Sequence, residues 1–240
     1  MMEISILTQN NHFLINQAVC SLAERLYSMG CNVTLFRCSA TSRGRKSSKI
    51  KSAVDIFHLM GFWFFVRVIF SYVTSIFYFN DRRLSQWCSI VDVRDEQALD
   101  SDFFASQTQE SQCLLILSGT RIINKGVLNF FSGNVINVHS SLLPYSKGLM
   151  PAYWTFHKKM GRGVTLFKLD EGIDTGEIIY QVPIHNPSES YFGFLFQTKV
   201  VGVDLLLAWV LENVVCFKRP VGGPSSYNKY PSVKYSSGPK

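Results

Sequence analysis

The sequence predicts an α/β protein with a mostly parallel sheet and helices on both faces. Residues 3–9 and 31–38 have strand-like patterns, and residues 13–29 between them carry apolar side chains at helical spacing. A strand, a helix and a strand within such a short stretch form a βαβ unit, whose two strands are parallel. Strand-like and helix-like segments continue to alternate from residue 88 onwards.

Each element has its own local signal. Asn10 and Asn11 can cap the first helix, Gly30 can end it, and the second strand follows at once. Pro151 suits the first turn of a later helix. The remaining predictions are strands at 88–93, 113–117 and around Asn137, and helices at 95–107, 127–131, 150–160 and 190–215.

The chain is predicted to form one domain over residues 1–217, because 240 residues with 47% apolar content can bury one substantial core. Residues 218–240, rich in Pro, Gly, Ser and Tyr, are expected to be irregular. No G-x-G-x-x-G follows the first strand, which argues against a nicotinamide or flavin site there.

Cysteine usage and the first residues bear on the compartment. No signal-peptide pattern opens the chain. The cysteines form no C-x-x-C pair and have no zinc spacing; they stand at positions 20, 31, 38, 88, 113 and 216. Scattered cysteines without an export signal are typical of reduced, buried thiols, so a cytoplasmic location is expected.

The net charge of +7 is partly concentrated in one serine-rich stretch. This stretch contains Arg37, Arg43, Arg45, Lys46, Lys49 and Lys51. A solvated loop and a contact with phosphate, from a nucleotide, an RNA or an anionic membrane, are the alternatives. RNA is the least favoured, because no nucleic-acid motif accompanies the stretch.

Residues 56–79 form an apolar run whose length would just span a bilayer. Arg67 near its middle opposes insertion, because an arginine at the centre of a membrane helix costs about 2.5–3.5 kcal/mol. A span here would also separate the first strand from the later ones. The pattern favours a helix buried under the sheet, and it leaves open a surface helix that dips into a membrane.

The stretch 133–148, G-N-V-I-N-V-H-S-S-L-L-P-Y-S-K-G, carries the first candidate functional residues. Asn137 and His139 lie two apart near the end of an apolar run, so in a strand they project from the same face. Pro144 then ends regular structure, and Gly148 closes the loop. An amide donor beside an imidazole suits acyl chemistry, with hydrogen-bonded structural residues as the alternative.

A second stretch, 163–181, reads G-V-T-L-F-K-L-D-E-G-I-D-T-G-E-I-I-Y-Q. It consists of two apolar runs separated by an acidic turn. Gly172 and Gly176 allow backbone conformations that other residues resist, and Asp174 lies between them. A carboxylate at this place, if it lies close to His139, would orient the imidazole or favour its charged form.

Together the two stretches resemble the folate-dependent formyltransferases, the family of glycinamide ribonucleotide, methionyl-tRNA and nucleotide-sugar formyltransferases. The family pattern N-x-H-x-S-L-L-P-x-x-x-G, followed by D-x-G-x-D-T-G, is present here in order. The resemblance covers residues 110–185, with a weaker similarity in residues 1–40. It implies a Rossmann-like fold and formyl transfer from N10-formyltetrahydrofolate to an amine.

The resemblance implies that Asn137, His139 and Asp174 are the catalytic residues. Asn137 would donate a hydrogen bond to the oxyanion that develops when the amine attacks the formyl carbon. His139 would accept the proton of the amine, and Asp174 would orient the imidazole. Ser140 stands where many relatives have glycine, so the loop after His139 is expected to differ slightly.

The resemblance also implies that backbone groups of residues 120–123 and 170–173 hold the pterin ring of the formyl donor. Leu117 and Ile123 are expected to sandwich the ring, with ordinary core positions as the alternative. The predicted cofactor residues are Leu117, Thr120, Arg121, Ile122, Ile123, Asp170, Glu171, Gly172 and Ile173. No metal is implied, since the other histidines show no ligand spacing.

The resemblance leaves the formylated amine open. The motif region is followed by too few residues for the barrel domain of the methionyl-tRNA enzymes, and the D-T-G and Y-S-K-G loops are closest to the sugar group. A nucleotide-linked amino sugar such as dTDP-4-amino-4,6-dideoxyglucose, destined for O-antigen, is the expected acceptor. The residues expected to bind it are Tyr145, Lys147, Tyr153 and Trp154.

Other functions and partners are kept open. The first is glycinamide ribonucleotide formylation, and the second, from another class, is a non-catalytic binding protein on the same fold. Peripheral contact with the inner membrane and a homodimer also stay open, whereas a nucleic-acid partner is not expected.

Overall fold

The computed structural model describes residues 2–9, 13–38, 62–63, 66, 69–70, 73, 81–93, 98–108, 111–118 and 122–215. Its strands are β1 (Met2–Gln9), β2 (Cys31–Cys38), β3 (Ser89–Val93), β4 (Ser111–Ile116), β5 (Val135–His139), β6 (Gly163–Lys168) and β7 (Ile178–Pro183). Its helices are α1 (Phe13–Ser28), α2 (Asp81–Leu84), α3 (Ser101–Gln107), α4 (Lys125–Phe130), α5 (Pro151–Lys158) and α6 (Tyr191–Val210), which continues as a π-helical turn at Leu211–Val215.

The strands form one sheet in the order β3-β2-β1-β4-β5-β6-β7. The first five strands in this order are parallel to their neighbours. Strand β6 runs antiparallel to β5, and β7 runs antiparallel to β6. The predicted mostly parallel sheet is therefore confirmed, with two antiparallel strands added beyond β5.

Two hydrophobic clusters cover the two faces of this sheet. Residues of α1 and α6, such as Leu22 and Leu206, pack on one face. Residues of α3 and α4, such as Phe104 and Val127, pack on the other face around Phe36. Because both faces are buried, the strands are apolar on both sides, and the predicted placement of helices on both faces is confirmed.

Local signals explain where the helices begin and end. Gly30, with φ +81°, follows α1 in a backbone conformation that glycine adopts without strain. Asp100 caps α3 by accepting from the Phe103 N–H at 2.9 Å, and Asn124 caps α4 by accepting from the Val127 N–H at 3.0 Å. The predicted helix at 95–107 was therefore too long, because residues 98 and 99 precede the cap. Residues 94–97 lie outside the described ranges.

The apolar run at 56–79 is described only at six helical positions, and their side chains are exposed. The exposed fractions range from 39% at Val66 to 78% at Trp63, and the other four positions are Phe62, Ile69, Phe70 and Val73. The prediction of a helix buried under the sheet is wrong for these residues. One described helix, Tyr191–Val214, has the length and hydropathy of a membrane span, yet 56% of its apolar window is buried in the fold.

The structure also tests the predicted thiols and part of the basic stretch. Cys31, Cys88 and Cys113 are buried free thiols, Cys38 is buried, and Cys20 is half-buried. Arg37 forms an ion pair with Asp92 at 2.7 Å, so its charge is balanced within the sheet. The other basic residues of the 37–51 stretch lie outside the described residues, as do Cys216 and the predicted tail.

Candidate active site

The site begins at the carboxyl end of β5. Asn137 pairs with Ile116 of β4 on one side and with Phe167 of β6 on the other. His139 is the last residue of β5 and lies opposite Thr165 of β6. The pattern of β5 thus places the amide and the imidazole on one face, where the parallel strands β4 and β5 end.

Both ring nitrogens of His139 face oxygen atoms. Nε2 lies 2.5 Å from the carbonyl oxygen of Ser146, and Nδ1 lies 3.6 Å from Oδ2 of Asp174. Because a carbonyl oxygen only accepts hydrogen bonds, Nε2 carries the proton of the neutral ring. Nδ1 is then the basic nitrogen, and it lies beside a carboxylate that can stabilise the imidazolium.

Asp174 also holds the loop that follows β5. Its Oδ2 accepts from the backbone N–H of Gly148 at 2.6 Å, and its side chain is only 14% exposed. The backbone of Asp174 is left-handed, with φ +50°, which Asp tolerates better than most residues. One carboxylate therefore connects the two sequence motifs and directs an oxygen towards His139.

The two glycines beside Asp174 are needed for close approach. A Cβ at Gly176 would lie 1.8 Å from the carbonyl oxygen of Lys168, and a Cβ at Gly172 would lie 2.0 Å from Oγ1 of Thr175. Neither glycine has a positive φ. The predicted reason, an unusual backbone conformation, is therefore wrong at these two positions and holds instead at Asp174.

The acidic loop is internally tied and lies next to α4. Asp170 accepts from the Gly172 N–H at 3.0 Å and from the Thr175 hydroxyl at 2.8 Å. The Lys125 ammonium lies 2.9 Å from the Glu171 carboxylate. This ion pair shows that the segment after β4 and the loop at 170–175, which carry the predicted cofactor residues, are neighbours.

Burial lowers the pKa of His139 below its ordinary value of 6.5. The Ser146 carbonyl and the Asp174 carboxylate act in the opposite direction, and the Lys199 charge adds to the lowering. The net direction leaves His139 neutral near pH 7. A neutral imidazole can accept a proton, as a general base must.

Sequence reasoning missed the polar residues that support the loop after His139. The Thr165 hydroxyl donates to the Ser141 carbonyl at 2.7 Å and accepts from the Leu143 N–H at 3.0 Å. The Gln181 amide donates to the Leu143 carbonyl at 2.8 Å. Their alternating strand pattern carried no signal of this function, because polar residues in antiparallel strands usually face solvent.

Two predicted cofactor contacts are wrong. Leu117 belongs to the cluster under one face of the sheet and is fully buried, whereas Ile123 belongs to the cluster on the other face and is 5% exposed. Their side chains cannot sandwich a ring between them, because the sheet separates them. Ile122 and Ile173, in contrast, expose 83% and 65% of their surface. Thr120 and Arg121 lie outside the described residues.

The residues predicted to bind the acceptor line the loop after β5 and the start of α5. Tyr145 is 64% exposed, Trp154 is 39% exposed, and Lys147 is exposed. Tyr153 is half-buried and packs edge-on against Tyr191 of α6, with 5.9 Å between ring centroids. Tyr145, Lys147 and Trp154 therefore remain available to a ligand, whereas the Tyr153 ring also supports the packing of α5.

Comparison with known proteins agrees with this geometry. Residues 78–189 match the sequence profile of a family described as formyl transferase. The methionyl-tRNA formyltransferase of Syntrophus aciditrophicus is 41% identical over 96 residues, covering 39% of this chain and 31% of that protein. The corresponding protein of Thermodesulfovibrio yellowstonii is 25% identical over 162 residues, covering 65% of this chain and 52% of that protein. The chain thus spans about half or less of these relatives.

Solved structures share the fold. The phosphoribosylglycinamide formyltransferase of Streptococcus pneumoniae superposes with a TM-score of 0.56 at 15% identity, over 88% of this chain and 98% of that one. A sugar N-formyltransferase from Shewanella gives a TM-score of 0.53 at 16% identity, over 90% of this chain and 71% of that one. At such identities the structures establish the fold alone. The matched profile and the two motifs make residues 78–189 similar to the formyl transferases, and the solved structures show that the chain shares their fold.

Proposed function

We propose that this protein transfers a formyl group from N10-formyltetrahydrofolate to the amine of a nucleotide-linked amino-deoxy sugar. The observation that carries the reaction class is that His139, which shares one face of β5 with Asn137, lies 3.6 Å from the Asp174 carboxylate where β4 and β5 end. An amide donor, a neutral imidazole and a carboxylate are the groups that acyl transfer to an amine requires.

Each residue has a defined role in this proposal. The Asn137 amide donates a hydrogen bond to the oxygen on which negative charge develops as the amine attacks. His139 accepts the amine proton at Nδ1, since Nε2 already donates to the Ser146 carbonyl. The Asp174 carboxylate, 3.6 Å from Nδ1, then stabilises the imidazolium. Asp174 also anchors the loop at Gly148 by accepting from its backbone N–H.

The residues present fit a folate co-substrate. The segment at Ile122 and the loop at Ile173 expose apolar side chains, and the ion pair of Lys125 with Glu171 holds the two segments together. A pterin ring is flat and has a hydrogen-bonding edge, so exposed apolar side chains and loop backbone groups suit it. The folate would supply the formyl carbon that the amine attacks. It would leave as tetrahydrofolate when the bond between its N10 and the formyl carbon breaks, with the proton taken from the amine available to N10.

The choice of acceptor is argued from the exposed aromatic residues beyond His139. Tyr145 and Trp154 offer ring faces, and Lys147 offers a positive charge in the same loop. Aromatic rings stack on bases and sugars, and an ammonium binds phosphate, so the three together suit a nucleotide diphosphate sugar. A dTDP-linked 4-amino-4,6-dideoxy sugar for a surface polysaccharide is the specific acceptor that we propose.

The proposal is tested by measuring tetrahydrofolate release from N10-formyltetrahydrofolate with different amines. The amines are dTDP-, UDP- and GDP-linked amino-deoxy sugars, glycinamide ribonucleotide and methionyl-tRNA. Turnover with a dTDP-sugar alone supports the proposal. Turnover only with glycinamide ribonucleotide or methionyl-tRNA contradicts the acceptor but supports the reaction, and folate binding without turnover on any amine supports a binding protein instead.

A pair of histidine variants separates catalysis from folding. His139→Asn should retain the thermal midpoint and folate binding but lose turnover by about 100-fold or more, because the proton acceptor is removed. His185→Asn is the matched control, since His185 is exposed and lies after β7. Equal turnover rates for His139→Asn and the parent protein would contradict the role assigned to His139.

We also propose that the exposed side chains of the six described helical residues between positions 62 and 73 contact an anionic membrane surface on the cytoplasmic side. These six apolar side chains are 39–78% exposed and include Phe62, Trp63 and Phe70. Five basic residues precede this segment in the sequence between positions 43 and 51. Apolar side chains near basic residues are typical of helices that lie at the surface of anionic bilayers.

Co-sedimentation with vesicles tests this contact. Binding to vesicles of mixed phosphatidylcholine and phosphatidylglycerol, but not of phosphatidylcholine alone, is expected. The double variant Trp63→Ser/Phe70→Ser should abolish binding, whereas Tyr27→Ser, at an exposed position of α1, should not. Protein that stays in the supernatant, or that uses these side chains to form a stable dimer in solution, would contradict the membrane contact.

A further inference from the structure

Lys199 of α6 carries a buried ammonium group that the proposed reaction does not use. The residue is 5% exposed, and its Nζ donates a hydrogen bond to the Leu117 carbonyl at 3.0 Å. Burial lowers the pKa of Lys199 to about 8. A buried lysine is rare, because removing an ammonium from water is costly.

Packing does not explain this residue. Among the described residues, no carboxylate forms an ion pair with Lys199. A buried charge without a counter-charge destabilises a fold, and an apolar side chain of similar length would avoid that cost. Unpaired buried charges of this kind are found preferentially at functional sites.

The position of Lys199 connects it to the site. Leu117 directly follows β4, whose Ile116 pairs with Asn137. The preceding residue of α6, Thr198, donates to the Ser140 hydroxyl at 3.2 Å, and Ser140 directly follows His139. Lys199 therefore lies behind the carboxyl ends of the two strands that carry the site.

The charged and polar groups around His139 come from three elements. Asp174 faces the ring from the acidic loop, the Ser146 carbonyl faces it from the loop after β5, and the Lys199 charge acts on it from α6. The first two favour the imidazolium, and Lys199 together with burial opposes it. Without Lys199, the carboxylate and the carbonyl would act with less opposition.

We propose that Lys199 is a positioning residue of the active site, which fixes the end of β4 through the Leu117 carbonyl and holds a buried positive charge behind the strand ends that carry Asn137 and His139. The role rests on the proposed function, because a neutral imidazole matters only if His139 is the proton acceptor. The positive charge of Lys199 opposes the effect of the negative Asp174 carboxylate on the His139 pKa. The carboxylate can therefore orient the ring while the ring stays neutral.

The test is an NMR titration of His139, which needs no substrate and is therefore independent of the proposed reaction. The ring signal is assigned by its loss in His139→Asn. In Lys199→Met the pKa of His139 should rise, because the opposing cation is gone. The matched control is Arg25→Met. It removes an exposed cation of α1 that pairs with Asp204 of α6, the helix that carries Lys199, and it should leave the His139 pKa unchanged.

Two further variants keep the proposal testable if Lys199→Met does not fold. Lys199→Gln retains a donor for the Leu117 carbonyl but loses the charge, so it should reproduce the rise, whereas Lys199→Arg should not. In the active enzyme, the acid limb of kcat/KM in Lys199→Met should move to higher pH by the same amount. An unchanged His139 pKa in Lys199→Met and Lys199→Gln would overturn the proposal and leave Lys199 with a structural role only.

Discussion

The backbone N–H of Gly148 donates a hydrogen bond to the Asp174 carboxylate at 2.6 Å, although the two residues are 26 positions apart. The contact joins the loop after β5 to the loop after β6. The same carboxylate oxygen faces the imidazole of His139. A change at Gly148 therefore affects the proposed catalytic residues without contacting His139.

Gly148→Ala is expected to lower kcat strongly and to lower the free energy of unfolding only modestly. Gly148 has φ +83°, and a Cβ would meet nothing within 4 Å, so the cost is backbone strain of about 1–2 kcal/mol. This strain displaces the N–H from Asp174, and we expect at least a tenfold loss of kcat. Turnover and the free energy of unfolding are measured side by side.

The chain provides a matched control for this substitution. Gly30 has φ +81° and equally open surroundings, but it lies after α1, away from the site. Gly30→Ala should lose as much stability as Gly148→Ala and keep full activity. Equal activity of the two variants would show that the Gly148 contact has no catalytic role.

The acidic loop gives a second prediction, based on what each glycine approaches. A Cβ at Gly172 would meet the side chain of Thr175, whereas a Cβ at Gly176 would meet the backbone carbonyl of Lys168. A side chain can move or be removed, and a backbone carbonyl cannot. Gly176→Ala should therefore destabilise the protein more than Gly172→Ala, as measured by chemical denaturation.

Removing the Thr175 hydroxyl sharpens this comparison. Thr175→Ala should restore part of the stability lost in Gly172→Ala, because the atom at 2.0 Å is gone. It should not rescue Gly176→Ala. The restoration cannot be complete, since the Thr175 hydroxyl also donates to Asp170. If the two glycine variants respond alike to Thr175→Ala, the assigned contacts are wrong.

The order of elements and the two motifs could be predicted from the sequence because both are local. Strand β2, for example, begins and ends where its apolar pattern does, and Asn137 and His139 follow from a period of two. The anchoring of the loop by Thr165, and the burial of Lys199 behind β4, depend on contacts between distant segments. The exposure of Trp63 was missed because an apolar run indicates burial without showing which face is covered.

Asn137 provides a third prediction. Asn137→Ala should lower kcat by about 100-fold or more, because one donor to the developing oxyanion is lost. The fold should be preserved, since the pairing of β5 with β4 and β6 uses backbone groups. Asn134→Ala, which removes a half-buried amide just before β5 that donates to the Gln112 carbonyl, is the control and should keep its rate. A small loss of kcat in Asn137→Ala would mean that the Asn137 amide does not donate to the oxyanion.

The pH dependence of catalysis follows from the lowered pKa of His139. The proton acceptor must be neutral, so kcat/KM should fall as the pH drops through the pKa of His139 in the free enzyme. Burial moves this pKa below 6.5, and the acid limb should therefore have its midpoint below that value. Asp174 raises the pKa, so Asp174→Asn should lower it further in an NMR titration.

The same shift predicts how stability depends on pH. Below pH 6.5 the unfolded chain binds a proton at His139 before the folded protein does, so the folded state loses stability as the pH falls through this window. His139→Asn removes this contribution. Urea denaturation from pH 7.5 to pH 5 measures the unfolding free energy of the parent protein and of His139→Asn. As the pH falls, the parent protein should lose more stability than the variant. A constant difference would mean that burial does not lower the pKa of His139, and the neutral base would lose its physical basis.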